Sequence, residues 1–107
     1  MTKNFTLINC TPITNSLNET VFYNITYSFT DEWNDKQVCS ANCYLHTDPF
    51  TNSKFLYTQT FKVKDKNGQW NAHLAKHLIY TDIYNKNVSK HIKFLERTLT
   101  KEGVIKK

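Results

Sequence analysis

The hydrophobic period of this chain changes once, near residue 64, and that change constrains the fold more than any other feature. Before it, apolar and polar residues alternate. From Thr20 to Thr30, Val21, Tyr23, Ile25, Tyr27 and Phe29 share one face, with Phe22, Asn24, Thr26 and Ser28 on the other. A period of two in β-branched and aromatic residues predicts a half-buried strand. Lys54 to Lys64 repeats it, with Phe55, Tyr57, Phe61 and Val63 on one side and Leu56, Thr58, Thr60, Lys62 and Lys64 on the other. Gln37 to His46 is a weaker strand that groups Cys39, Ala41, Cys43 and Leu45. Phe5 to Asn9 is a further strand, followed by a loop around Pro12. Asp31–Asp35 and Asp48–Ser53, rich in Asp, Asn and Pro, are expected as turns. Lys66-Asn67-Gly68 is expected as a hairpin turn of the type I′ kind.

Beyond this point the spacing is helical. Asn71 is a candidate N-cap, and Leu74, Ala75, Leu78 and Ile79 fall on one arc, giving a helix over about 71–84. After a break at Asn85–Asn87, Val88, Ile92, Leu95 and Leu99 lie within about 60° of one another at ~100° per residue, giving a second helix over about 88–101. Gly103 is the expected stop, with Val104–Lys107 as a frayed tail. Strands followed by helices predict an α+β fold in a single domain over 1–107. The expected architecture is an antiparallel sheet of three to four strands, over about 4–64, followed by two C-terminal helices packed on one face.

Composition narrows the class. Aromatics make up 14% of 107 residues, too many for a disordered chain. No stretch approaches the ~20 apolar residues of a membrane span. Met1–Phe5 opens no basic-then-apolar leader, so no export signal is expected and the localisation reads as cytoplasmic, the host-cell cytoplasm if phage-encoded. Three cysteines, an odd count, then predict free thiols. The Asn-x-Ser/Thr triplets at Asn4, Asn9, Asn18, Asn24 and Asn87 are read as Asn and Thr richness.

Charge is uneven. Residues 1–53 hold two cations and five anions, while residues 54–107 hold twelve cations and four anions. A dipole of this kind favours an acidic or polyanionic partner at one end. Thirteen of the fourteen cations are Lys, a hydrated point charge, whereas bidentate base reading favours Arg. Sequence-specific DNA reading is therefore not expected.

Catalytic signatures are absent from the sequence. His73 and His77 have the i, i+4 spacing of a zinc helix, but Leu74 stands where a protease would carry its general base. Cys39 and Cys43 on a strand would lie ~13 Å apart, awkward for one zinc. No metal, cofactor or catalytic residue is expected. Two surface stripes are. On the second helix Lys90, Lys93, Arg97 and Lys101 fall within about 80° of arc, bordered by Phe94. On the first helix His73, His77, Tyr80 and Tyr84 occupy one arc outside the apolar face. Rings with polar tips suit a protein–protein hot spot or a base-stacking platform. Phe22 and Tyr44 fall on the less apolar sheet face and mark a contact surface, self-association into a homodimer included.

These features describe a binding module better than an enzyme. The expected function is a small inhibitor or adaptor that docks on a larger protein or nucleoprotein complex. Phage and mobile-element anti-defence proteins of the anti-CRISPR type share this size and lack of motifs, and the likeness is one of class, not of residues. Two alternatives stay open. One is direct nucleic-acid binding through the basic helix face. The other is a metal-dependent enzyme using the His pair.

Overall fold

The structure, a computed structural model, describes residues 2–80 and 86–105. It is α+β. Five antiparallel strands lie in chain order, β1 (Lys3–Thr14), β2 (Thr20–Thr30), β3 (Lys36–Thr47), β4 (Lys54–Lys64) and β5 (Trp70–Asn71). Two helices follow, α1 (Ala72–Ile79) and α2 (Lys86–Lys101). The sheet thus has five strands, not three to four. The fifth is two residues long, pairing Asn71 with Val63 and Trp70 with Lys64, and no period can be read in two residues. The Lys64 ammonium lies 5.3 Å from the centre of the Trp70 ring and adds a cation–π contact there.

One turn design recurs. In Asn15–Glu19, Asp31–Asp35 and Asp65–Gln69, the first residue's N–H donates to the fifth residue's carbonyl, and the fourth N–H donates back to the first carbonyl. The first side chain's Oδ1 accepts from the third and fifth N–H groups, at 2.9–3.0 Å in all three turns. The fourth residue, Asn18, Asn34 or Gly68, has φ of 63°, 65° or 77°. This is a three-residue loop, a type I turn followed by a left-handed residue. The type I′ turn expected at Lys66–Gly68 is therefore corrected, since only Gly68 of its central residues has positive φ. The Asp48–Ser53 turn is one residue longer but again starts on Asp and carries a left-handed Asn52, at φ 59°. Backbone donors hold the Asp48 and Asp65 carboxyls below their usual range, chiefly the N–H groups of Phe50 and Gln69.

Bulges account for two departures from the alternation. Tyr44 pairs with Thr58 but Leu45 pairs with Leu56, so Tyr57 is an extra residue in β4. One added residue reverses the faces beyond it. Leu56 therefore packs against the core, while Phe55 and Tyr57 are 45% and 70% exposed. Likewise β1 does not stop at Asn9. It runs through Pro12, opposite Tyr23, with three register shifts. An edge strand tolerates a missing N–H, which is why Pro12 fits.

The core draws Ile25, Tyr27 and Phe29 from β2, Cys39, Ala41 and Cys43 from β3, and Phe61 and Val63 from β4 into one cluster. The same cluster takes Ala75, Leu78 and Ile79 from α1 and Val88, Leu95 and Leu99 from α2. Asn71 caps α1, its side chain accepting from the Leu74 N–H at 2.9 Å. Tyr80 ends that helix with φ −97° and ψ 40°. The remainder of the expected span, 81–84, lies outside the described residues. At the other end, Gly103 at φ 77° donates to the Thr100 carbonyl and Val104 donates to that of Leu99. This pair of bonds is a Schellman motif, and it folds Ile105 back into the core. Val104 and Ile105 are thus packed, where a frayed tail was expected.

Because Asn already occupies the left-handed position in three of the four hairpins, Gly68→Asn should leave stability within about 0.5 kcal/mol of the parent by urea unfolding. Gly68→Val at the same place should cost about 1–2 kcal/mol, although an added Cβ meets nothing within 4 Å.

Candidate interaction surface

The orientation of α2 is set by polar groups as well as apolar ones. Asn87, His91 and Thr98 are buried beside Val88, Leu95 and Leu99. The Asn87 amide donates to Glu32 Oε1 at 2.8 Å, and the Thr98 hydroxyl donates to the Phe94 carbonyl at 3.0 Å. His91 Nδ1 lies 2.6 Å from the Tyr27 hydroxyl. The imidazole stands edge-on to Phe29 and Phe5, with ring centres 4.6 and 5.0 Å away. Its Nε2 has no hydrogen-bond partner among the described residues. Burial lowers the His91 pKa to about 3 and pushes the Tyr27 phenol up.

With that arc inward, the cationic row is fixed outward. Lys93, Arg97 and Lys101 are exposed at i, i+4 and i+8. Lys90 is half-buried, its ammonium 3.4 Å from the Thr2 carbonyl. The helix begins at Lys86, two residues before the expected start, and Lys86 falls on the same arc at ~100° per residue. The sequence reading missed it by placing the start at Val88. Phe94 is corrected. It does not stand free beside the cations but stacks on Phe5 at 5.4 Å and packs on Tyr27 at 4.9 Å, half-buried.

On α1, His73 and His77 are exposed with ring centres 5.0 Å apart. Tyr80 is 46% exposed and meets Phe61 edge-on at 6.2 Å. Tyr84 lies outside the described residues. Among the described residues, no three His, Cys, Asp or Glu side chains converge as a metal-binding group. The thiols are poorly placed for nucleophilic work. Burial pushes Cys39 and Cys43 up to about 12, and it raises Cys10, with the Glu102 charge adding to the effect.

The opposite sheet face divides into a polar and an aromatic half. Asn24 donates to Ser40 Oγ and to Asn42 Oδ1, each at 2.8 Å. Toward the Asn15–Glu19 and Asp48–Ser53 turns, Phe22 meets Tyr44 at 5.0 Å and His46 meets Phe55 at 5.4 Å. Leu17 and Phe50, each the third residue of its turn, are 76% and 95% exposed at that end. Alternation revealed Phe22 and Tyr44, but Leu17 and Phe50 sit in turns, where no period operates.

No protein-family model, no curated protein and no solved structure matches this chain. No helix among the described residues is long and apolar enough to cross a membrane.

The unfolded chain protonates His91 near pH 6.5, whereas the folded chain does so only near pH 3. Between those values the unfolded state holds the extra proton, so stability falls as pH falls, by about 1.4 kcal/mol per unit from this residue. Urea midpoints at pH 7, 5.5 and 4 should drop accordingly. His91→Gln, which has no titrating group, should be less stable at pH 7 but show a flatter pH dependence.

Proposed function

We propose that this chain is a non-enzymatic docking module, an inhibitor or adaptor that binds a larger protein or nucleoprotein complex through an acidic or polyanionic surface. Both helices lie over one face of the sheet, and α2 presents its cations away from it. The observation that carries the reading is the exposed row Lys93, Arg97 and Lys101 on a helix whose inward arc is locked by the Tyr27–His91 and Asn87–Glu32 hydrogen bonds. A rigid row lowers the ordering cost of association. Its charge steers encounter with an anionic surface. An anti-defence inhibitor of the anti-CRISPR type, acting in the host-cell cytoplasm, is the class this reading favours. With a net charge of +5, such an inhibitor would cover an acidic protein surface or bind beside nucleic acid, not imitate DNA.

Direct nucleic-acid binding is the second reading, favoured by Lys86 extending the cationic arc by a turn. The two differ in what they retain. If nucleic acid is the ligand, purified protein should retard DNA or RNA at low salt, with a log–log salt slope of about −2 to −3 for three phosphate contacts. If the ligand is a protein complex, retardation should be absent while co-purification with a host defence complex persists. In either case Lys93→Glu with Arg97→Glu should abolish the interaction at unchanged urea midpoint. Binding that survives both reversals would overturn the proposal.

A further inference from the structure

The exposed imidazoles of α1 lie on a different helix from the cationic row of α2. His73 and His77 stand one helical turn apart, on the side of α1 opposite the buried Ala75, Leu78 and Ile79. Their ring centres are 5.0 Å apart with planes at 82°. An imidazole ligates zinc at about 2.0–2.1 Å, which puts its ring centre roughly 3.2 Å from the ion. Two such rings at 90° to 109° about one ion would then lie about 4.5–5.2 Å apart. The observed separation falls inside that interval. The backbone beneath is held at both ends of the pair. Asn71 caps the helix start, and Ala75, Leu78 and Ile79 anchor its inner side, so the pair is presented on a fixed turn.

We infer that His73 and His77 form a two-histidine clip for one divalent transition-metal ion of the imidazole-binding class, Zn²⁺, Ni²⁺ or Cu²⁺. With two protein ligands, the remaining coordination positions are open to water or to a donor on another molecule. Among the described residues no third ligand converges on the pair, which suits an attachment point, unlike the closed four-ligand cage of a structural zinc site. Because the ion bridges one turn of an eight-residue helix, its binding also stabilises the folded state over the unfolded chain.

The test is titration of the full-length protein with NiCl₂ and ZnCl₂ in a non-chelating buffer, followed by calorimetry and by thermal unfolding. One ion per chain is expected, with half-saturation below about 1 mM and a raised melting temperature. His73→Ala and His77→Ala should each weaken binding at least about tenfold and remove the thermal shift. His46→Ala and Cys10→Ser, which alter an exposed imidazole and the half-buried thiol elsewhere, should leave both readouts unchanged. Both histidines of the clip are exposed, so their loss should not unfold the chain. Absence of saturation below that concentration overturns the inference. So does binding that persists in both α1 variants or disappears in Cys10→Ser. None of these outcomes depends on the cationic row of α2.

Discussion

The contact between Tyr27 and His91 is the interaction on which the rest of the arrangement depends. It joins β2 to the middle of α2 at 2.6 Å in a buried setting edged by the rings of Phe5, Phe29 and Phe94. A hydrogen bond in such a setting is electrostatically stronger than in water, and either partner left alone would carry a desolvation penalty of about 1–3 kcal/mol. Apolar packing alone would allow α2 to roll by a fraction of a turn, because Val88, Leu95 and Leu99 present a broad greasy arc. A directional bond removes that freedom. Phe5 and Phe94 close over it by stacking on each other at 5.4 Å. The rotation of α2 then decides which side chains meet solvent.

That dependence explains what could and could not be read from the chain. Alternation located β2 and β3 with their inward faces, since no register shift interrupts their pairing. It failed along β4, where one extra residue at Tyr57 exchanges Phe55 for Leu56, and a bulge has no signature in hydropathy. The apolar residues of α2 were legible, yet its buried arc is displaced toward Asn87, His91 and Thr98. Polar side chains read as surface until their partners are known, and those partners lie 55 and 64 residues away for Asn87 and His91. Phe94 was placed with the cations for the same reason. The arc including His91 turns Phe94 toward Phe5, and the helix-wheel reading had only the aliphatic residues from which to set the zero. On the candidate surfaces, the aligned spacing of Lys93, Arg97 and Lys101 and the i, i+4 pair of histidines were legible because helical geometry alone produces them.

The turns show a comparable economy. The first position is Asn or Asp in every hairpin because its side chain must accept two N–H groups that the strands leave unpaired. The left-handed residue is Asn or Gly because those pay little for positive φ. The third position carries no such demand, and Leu17, Trp33 and Phe50 stand exposed there. Large apolar groups at turn positions that the turn chemistry leaves free are not explained by folding. Leu17 and Phe50 extend the aromatic end of the sheet, beyond Phe22, Tyr44 and Phe55, into a second apolar surface remote from the polar ladder of Asn24, Ser40 and Asn42.

The same turns shape the electrostatics. Asp31, Asp48 and Asp65 each accept backbone N–H groups in their own hairpins, so their carboxylates are committed to holding the strand ends. Asp31 also accepts from Gln37, and Glu32 accepts from Asn87. Six of the acidic residues, Glu19, Asp31, Glu32, Asp35, Asp48 and Asp65, thus belong to the hairpin turns, while Glu96 and Glu102 lie on α2 and directly after it. The exposed Lys93, Arg97 and Lys101 of α2 take no part in closing these turns, and Lys90 reaches the Thr2 carbonyl. The hairpins close on Asn or Asp side chains, whereas Lys93, Arg97 and Lys101 of α2 stand exposed. A surface charge free of structural obligation is the kind that can be matched to a partner.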